Sequence, residues 1–151
     1  MVGDKGFDPM RISDQLPDLR WARAAEIKNG RVAMLAIVGM LWQENLPHIP
    51  GGVGYSEMNP LKAVGAIPTG AHAQIFGTIM CIEFATSNNW YNGDEPGNLG
   101  WGSKMLDGKS AAQVKDMKEK EISHCRLAMM AIAGAVTQTL MNGEPLLGGS
   151  F

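Results

Sequence analysis

Residues 26–37 read EIKNGRVAMLAI and residues 121–132 read EISHCRLAMMAI, so the chain contains nearly the same stretch twice, 95 residues apart. Nine of the eighteen aligned positions are identical over residues 26–43 and 121–138, without a gap. Self-similarity at a fixed offset indicates an internal duplication. Each copy places a carboxylate, an asparagine or histidine and an arginine at the start of an apolar run. The duplication therefore predicts two equivalent helices whose polar groups satisfy one another.

Composition argues against two classes of protein. A formal charge of -2, from 13 basic and 15 acidic side chains, provides no basic surface for nucleic acid. The three histidines lie on separate segments and no nucleophile has a plausible base, so we expect no enzymatic activity.

Cys81 and Cys125 lie within apolar segments and are expected to be buried thiols. A length of 151 residues predicts a single domain, residues 1–151.

Connections rich in Gly, Pro and Asn divide the chain into three apolar stretches. They include NLPHIPGGVGYSEMNP at 45–60 and SNNWYNGDEPGNLGWG at 87–102. Such sequences cannot continue a helix, so we predict helices at about 18–46, 70–88 and 110–142. No segment has the pattern of a strand pair. The predicted fold is therefore all-α, with the first and third helices crossing as a pseudo-twofold pair and the second beside them.

Hydropathy and charge give opposite indications about a membrane. The uninterrupted apolar cores, 32–42 and 127–136, are 11 and 10 residues long, a length typical of a buried core helix rather than a membrane span. However, six of the 13 Lys and Arg residues fall in 1–31, six in 104–126 and one between them. This distribution fits the positive-inside rule for three spans and does not fit two or four. Hydropathy therefore indicates a soluble helical protein, whereas the charge distribution indicates three transmembrane helices.

Helical geometry separates the charged residues within each copy. At 100° per residue Arg31 lies about 140° from Glu26, so these two side chains cannot pair on one helix. The symmetry of the repeat predicts the pairs Glu26–Arg126 and Glu121–Arg31 instead. A lone charge at bilayer depth costs about 2.5–3.5 kcal/mol on insertion scales, a penalty that the exchanged pairs remove. Small residues on both helices should permit a close crossing. They are Ala33, Ala36 and Gly39, and again Ala128, Ala131 and Gly134.

Single polar donors accompany these charges. Asn29 and His124 each offer one lone pair to an adjacent face, and Gln138 follows His124 by 14 residues, roughly 21 Å farther along and within about 40° of it. Carboxylate, amide and imidazole groups that stand singly suit a metal that needs one protein ligand, such as magnesium already held by a macrocycle. A glutamate neutralised by an arginine is a neutral ligand for that metal. The alternative for any one donor is a hydrogen bond between helices.

The doubled pattern E-x-x-[NH]-x-R-x-A-M, with GFDP at 6–9 and Gln138, resembles the light-harvesting chlorophyll-binding superfamily. The short connections and the stretches EIKNGRVAMLA and PTGAHAQIFGTI are similar to the chlorophyll a/c, fucoxanthin-type or related red-lineage branch. The resemblance covers nearly the whole chain. It implies three transmembrane helices in the plastid thylakoid membrane, with the outer two crossing through the ion pairs and the N-terminus on the stromal side.

The resemblance also implies the pigments and their ligands. By motif position, chlorophyll magnesium would be held by Glu26, Asn29, Glu83, Glu121, His124 and Gln138. Gln74, with His72 as the alternative, would be a further contact in the middle helix, and Arg31 and Arg126 would neutralise the glutamates. The implied cofactors are chlorophyll a, chlorophyll c and xanthophyll carotenoids.

The implied function is that of an antenna apoprotein that passes excitation energy to a photosystem. The implied partners are the photosystem core, other antenna subunits and thylakoid lipids. A photoprotective quencher of the same superfamily would share every ligand, so the sequence does not separate it from an antenna. A pigment-free helical membrane scaffold is the alternative from another class of protein.

Overall fold

The computed structural model of the chain describes residues 2–45, 57–92 and 95–148. Within these ranges it contains six α-helices and no strand. The short helices are α1 (Ile12–Gln15), α3 (Pro60–Ala66) and α5 (Ser103–Leu106). The long helices are α2 (Leu19–Asn45), α4 (Thr69–Asn92) and α6 (Ala111–Asn142). The all-α class is therefore confirmed for the described residues. None of the described helices combines the length and the apolarity that a membrane span normally requires.

The bounds of the long helices follow from local sequence and from packing. α2 and α6 begin and end within one residue of the predicted 18–46 and 110–142, whereas α4 continues four residues past its predicted end at 88. The asparagine-rich stretch that follows residue 88 was expected to end the helix. Trp90 in that stretch is buried in the apolar core, and this tertiary contact overrides the low helix propensity of asparagine.

The ends of α6 have clear capping residues. Ser110 Oγ accepts a hydrogen bond from the Gln113 N–H at 3.3 Å, and the Gln113 side chain accepts one from the Ser110 N–H at 3.0 Å. These two bonds form a capping box that satisfies N–H groups left open at the helix start. At the other end Gly143 adopts a left-handed φ of 69° and donates its N–H to the Thr139 carbonyl. The sequence thus determines both ends of α6 locally.

α2 packs mainly on α6, and the two backbones meet at Gly30 and Cys125. A Cβ added to Gly30 would lie 2.2 Å from the Cys125 Cβ, so only glycine fits at this position. Position 125 is position 30 displaced by the 95-residue offset of the repeat, and the crossing point therefore lies on the pseudo-twofold axis. Cys125 is buried there, as expected, but Cys81 is exposed. The prediction for Cys81 is wrong because that face of α4 has no neighbour among the described residues.

The predicted small-residue surface coincides with the crossing only in part. Ala33 and Ala128 are buried between the helices. Gly39 and Gly134 are not, because a Cβ added to either would have no atom within 4 Å. Each of these glycines stands nine residues after the axial position, which places it about 13 Å along the helix and on the opposite face. The prediction that they permit the crossing is therefore wrong.

The apolar core is small, and much apolar surface remains outside it. Large side chains are exposed on each long helix, including Leu35, Phe84 and Met130, each 76% exposed. The chain exposes 11008 Å², whereas a compact soluble protein of 16.2 kDa exposes about 7,500 Å². The described residues therefore leave apolar helix faces uncovered. The buried cluster itself consists of Ala24, Ile27, Trp90 and Ile122, with Val2 and Leu99 packed against it.

Candidate functional site

Two ion pairs join α2 to α6, one on each side of the crossing. Arg126 Nε donates to Glu26 Oε1 at 2.8 Å, and Arg31 Nε donates to Glu121 Oε1 at 2.8 Å. The structure thus contains both pairs that the symmetry of the repeat predicts. Each glutamate is neutralised by an arginine from the opposite helix, so neither carboxylate brings an uncompensated charge into the apolar surface.

Each of these arginines also holds a connecting loop. Arg126 Nη1 donates to the Gly3 carbonyl at 3.0 Å, and Arg31 Nη1 donates to the Gly97 carbonyl at 2.8 Å. Both glycines have left-handed φ, 72° and 77°, a conformation that favours glycine. These contacts were not predicted from the sequence, although the repeated Gly-x-x-Gly spacing at 3–6 and 97–100 is a signal for them. The arginines therefore fix the loops as well as the helices.

The loops before α2 and α6 form the same turn. Asp4 Oδ1 accepts from the Gly6 N–H at 2.9 Å, and Asn98 Oδ1 accepts from the Gly100 N–H at 2.9 Å. Both are turns closed by an Asx side chain. The duplication therefore extends through the loops, even though GWGSKM lacks the Asp-Pro of GFDPM. An exposed aromatic residue follows each turn, Phe7 in the first loop and Trp101 in the second.

The two glutamates differ in how many cations they contact. Glu26 Oε2 accepts a second hydrogen bond, from Arg23 Nη1 at 2.5 Å. Arg31 uses both Nε and Nη2 on the same atom of Glu121, Oε1, at 2.8 and 2.7 Å. Glu121 Oε2 therefore makes no hydrogen bond within the described residues, whereas both oxygens of Glu26 are engaged. Arg23 was missed by the sequence analysis, although its spacing of three residues from Glu26 is typical of helical ion pairs.

The neutral donors lie on exposed helix faces with free lone pairs. His124 Nδ1 is 2.8 Å from the Lys120 carbonyl, and because a carbonyl only accepts, Nδ1 carries the hydrogen; in the neutral imidazole Nε2 then keeps its lone pair. The exposed Asn29 side chain makes no hydrogen bond to any described residue. Gln138 Nε2 donates to the Leu146 carbonyl at 3.5 Å, which leaves its Oε1 free. Each of the three groups can donate one lone pair to a ligand.

In the middle helix α4, the structure pairs one predicted ligand with a cation. Glu83 Oε2 accepts a hydrogen bond from Lys28 Nζ on α2. Lys28 Nζ lies 5.2 Å from the centroid of the Trp90 ring. Gln74 is exposed and His72 is half-buried on the same helix. The sequence analysis missed Lys28 because the repeat does not include α4.

The predicted ligands do not converge on one point. Across residues 2–45, 57–92 and 95–148, no three His, Cys, Asp or Glu side chains could hold a metal ion together. The donors are spread singly over three helices, beside exposed apolar side chains. This arrangement fits a metal whose other coordination positions are filled by a flat ring, with the protein supplying one axial ligand.

The family described as Chlorophyll A-B binding protein matches residues 1–140 of this chain. The chain belongs to the chlorophyll A-B binding protein family. Nε2 of His124, Oε2 of Glu121 and the exposed Asn29 side chain are among the donors that make no hydrogen bond to the described residues. The prediction of the family from the doubled motif is thus confirmed.

Relatives named as fucoxanthin-chlorophyll a-c binding proteins and relatives named as chlorophyll a-b binding proteins both resemble this chlorophyll A-B binding family member. The fucoxanthin-chlorophyll a-c binding protein of Chattonella marina var. antiqua is 32% identical, over 91% of this chain and 65% of the relative. Fucoxanthin-chlorophyll a-c binding protein D of Macrocystis pyrifera is 31% identical, over 96% of this chain and 88% of the relative. Chlorophyll a-b binding protein P4 of Pisum sativum is 30% identical, over 95% and 63%. The chain therefore spans less than two thirds of the length of two of these relatives.

Proposed function

We propose that the chain is a light-harvesting antenna apoprotein that binds chlorophyll a, chlorophyll c and xanthophylls and passes excitation energy to a photosystem. The observation that carries this proposal is the pair of arginine-neutralised glutamates, each followed three residues later by an exposed donor. Chlorophyll c is included because two relatives are named fucoxanthin-chlorophyll a-c binding proteins. No catalytic role is proposed. The partners in this proposal are the photosystem core, other antenna subunits and thylakoid lipids.

The ligand assignment combines the motif positions with the donor geometry. Bound chlorophyll would supply the absorption of light and the transfer of excitation energy. The chain orients the donors: the hydrogen bond from His124 Nδ1 to Lys120 fixes the imidazole and directs Nε2 outward. Arg31 and Arg126 compensate the negative charges of Glu121 and Glu26 in an apolar setting. The residues assigned to magnesium are Glu26, Asn29, Glu83, Glu121, His124 and Gln138, with Gln74 or His72 as a further contact in α4.

Pigment reconstitution tests the function directly. The chain is refolded with chlorophyll a, chlorophyll c and xanthophylls, and chlorophyll per chain is counted by pigment extraction and chromatography. His124→Leu should lose one chlorophyll, whereas His124→Asn should keep it because an amide oxygen can also coordinate magnesium. An unchanged stoichiometry and absorption spectrum for His124→Leu would remove His124 from the ligands. A wild-type chain that takes up no pigment would refute the proposal and favour a helical scaffold.

In this proposal residues 1–151 form one domain with three thylakoid-spanning helices and a stromal N-terminus. The uneven distribution of Lys and Arg supports it. The lengths of α4, α2 and α6, which have 24, 27 and 32 residues, also support it, since they correspond to about 36, 40 and 48 Å against a hydrocarbon thickness of about 30 Å. The uncovered apolar side chains of these helices would face lipid and pigment.

Cysteine labelling tests the orientation. The exposed residues Lys109 and Lys62 are replaced singly by cysteine in a chain carrying Cys81→Ala, and intact thylakoids are treated with a membrane-impermeant maleimide. Lys109→Cys should react from the stromal side, and Lys62→Cys should react only after the membranes are opened. The Cys81→Ala parent is the control, since its remaining thiol, Cys125, is buried. Labelling in the reverse order would invert the topology.

A further inference from the structure

Glu83 is the one Asp, Glu, Lys or Arg residue in the whole of α4, Thr69–Asn92. Its side chain is 45% exposed, and its Oε2 accepts a hydrogen bond from Lys28 Nζ, whose side chain is 32% exposed. An unpaired carboxylate on an otherwise uncharged helix with apolar surroundings would be costly. The contact with Lys28 therefore compensates the only formal charge on this helix.

Lys28 interrupts the repeat at the position that faces α4. The corresponding position of α6, 95 residues later, is Ser123, and Lys28 is the one lysine of α2. The other two glutamates assigned as ligands each contact an arginine of the opposite repeat helix, Arg126 for Glu26 and Arg31 for Glu121. Because the repeat does not include α4, the symmetry supplies no cation for Glu83. The lysine occurs on α2, the repeat helix that α4 contacts.

The contacts of Lys28 also link α4 to α2 in a defined orientation. Trp90 follows Glu83 by seven residues, or two helical turns, so both side chains lie on one face of α4. Lys28 Nζ contacts the Glu83 carboxylate and stands 5.2 Å from the centroid of the buried Trp90 ring, within the range of a cation–π interaction. Lys28 is therefore held between an anion and an aromatic face, and this placement directs it at one carboxylate oxygen.

The geometry points to Lys28 as the positioning residue of a pigment site at Glu83, an inference that rests on the proposed function. Lys28 neutralises the carboxylate through Oε2, while Oε1 makes no hydrogen bond within the described residues and remains available as an axial donor to the magnesium of a chlorophyll. A lysine suits this task because its compact ammonium pairs with one oxygen, whereas an arginine fork can engage both. Lys28 does not touch the magnesium and acts through Glu83.

Four variants test this role by pigment reconstitution, with chlorophyll per chain and thermal stability both measured. Lys28→Met should lose one chlorophyll, because Glu83 becomes either an uncompensated anion or a protonated acid, whose oxygen is a weaker donor than that of a carboxylate or an amide. The double variant Lys28→Met/Glu83→Gln should regain that chlorophyll, since an amide oxygen is neutral without a counter-cation. Lys28→Met/Glu83→Leu should regain thermal stability but not the chlorophyll. Asp116→Asn, which removes an exposed ion pair on α6, is the control and should keep the wild-type count.

The results separate a ligand role from a purely structural one. If Lys28→Met keeps the full chlorophyll count and spectrum, Lys28 does not control the site. If both double variants recover stability and neither recovers the chlorophyll, the ion pair only joins the helices, and the inference is overturned. Where Lys28→Met alone does not assemble, the comparison of Glu83→Gln with Glu83→Leu in the Lys28→Met background still decides the matter. A wild-type chain that takes up no pigment refutes the proposed function rather than this inference alone.

Discussion

Replacing Arg31 with leucine should damage the assembled protein more than replacing Arg126 with leucine, although the two arginines are equivalent in the repeat. The reason is the second cation at one of the two glutamates. After Arg126→Leu, Glu26 still accepts a hydrogen bond from Arg23 Nη1 at 2.5 Å. After Arg31→Leu, Glu121 has no cation within 4.0 Å among the described residues. Only the second variant leaves a carboxylate without compensation.

The size of the difference follows from the burial of these pairs. Removing one partner of a buried ion pair costs about 3–5 kcal/mol, whereas an exposed pair is worth about 0–1 kcal/mol. The Arg31 and Glu121 side chains are 34% and 35% exposed, so this pair lies between the buried and the exposed case. We therefore expect Arg31→Leu to cost about 2 kcal/mol more than Arg126→Leu. For a domain of this size, 2 kcal/mol corresponds to about 4–8 °C in the unfolding temperature.

The assay is the thermal loss of circular dichroism in the pigment bands after reconstitution. Arg23→Leu/Arg126→Leu should fall to the level of Arg31→Leu, because the double variant removes both cations of the carboxylate. Asp116→Asn is the control: its pair with Lys120 is exposed, so its effect should stay within about 0.5 kcal/mol. The reasoning would be refuted by equal unfolding temperatures for the two single variants. A double variant that is no less stable than Arg126→Leu would also refute the role of Arg23 as the second cation of Glu26.

Two further predictions concern the helix crossing and the N-terminal segment. Gly30→Ala should lower stability by about 1–3 kcal/mol because the added Cβ would meet the Cys125 Cβ at 2.2 Å. Gly39→Ala, where the added Cβ has open space, should raise stability by about 0.5–1 kcal/mol. Equal thermal unfolding of the two variants would show that the crossing lies elsewhere. Hydrogen bonds from the Ser13 hydroxyl, and then from two backbone N–H groups, lower the pKa of Asp8 below its ordinary value of 3.8. The stabilisation of this turn is therefore present above pH 3.8 and is lost as the pH falls through the lower pKa of the folded state. An NMR titration of the Asp8 carboxyl with a midpoint at or above 3.8 would contradict this prediction.

The sequence predicted the contacts that join equivalent positions of the two copies of the repeat. Glu26 and Arg126 are 100 residues apart, yet their pairing follows from two facts: one copy cannot pair its own charges, and the two copies must cross. The bounds of α6 were also predictable, because Ser110 and Gly143 cap it locally. Internal symmetry and local capping are both readable from one chain without knowledge of its packing.

The contacts that the sequence did not reveal depend on packing outside the repeat. Lys28 and Glu83 are 55 residues apart on helices of unrelated sequence, so no symmetry indicates their pairing. Gly39 was assigned to the crossing because it is small, but the crossing is determined by Gly30, nine residues and half a helical circumference away. The size of a residue indicates where a close approach is allowed. It does not indicate which allowed position is used.

The glycine–cysteine pair at the crossing has a consequence for which helices associate with which. The ion pairs cannot make that choice, since α2 and α6 each carry a glutamate and an arginine and could exchange them with a second copy of themselves. In such a self-pair, the residue on the twofold axis would face the same residue of the second copy. Two Gly30 residues would leave a gap between the helices, and two Cys125 side chains would overlap. A pair of one Gly30 and one Cys125 fills the space between the helices with a single side chain. Separated α2 and α6 peptides should therefore form heterodimers in preference to homodimers, and an α2 helix formed early in synthesis would remain free for its partner in the same chain.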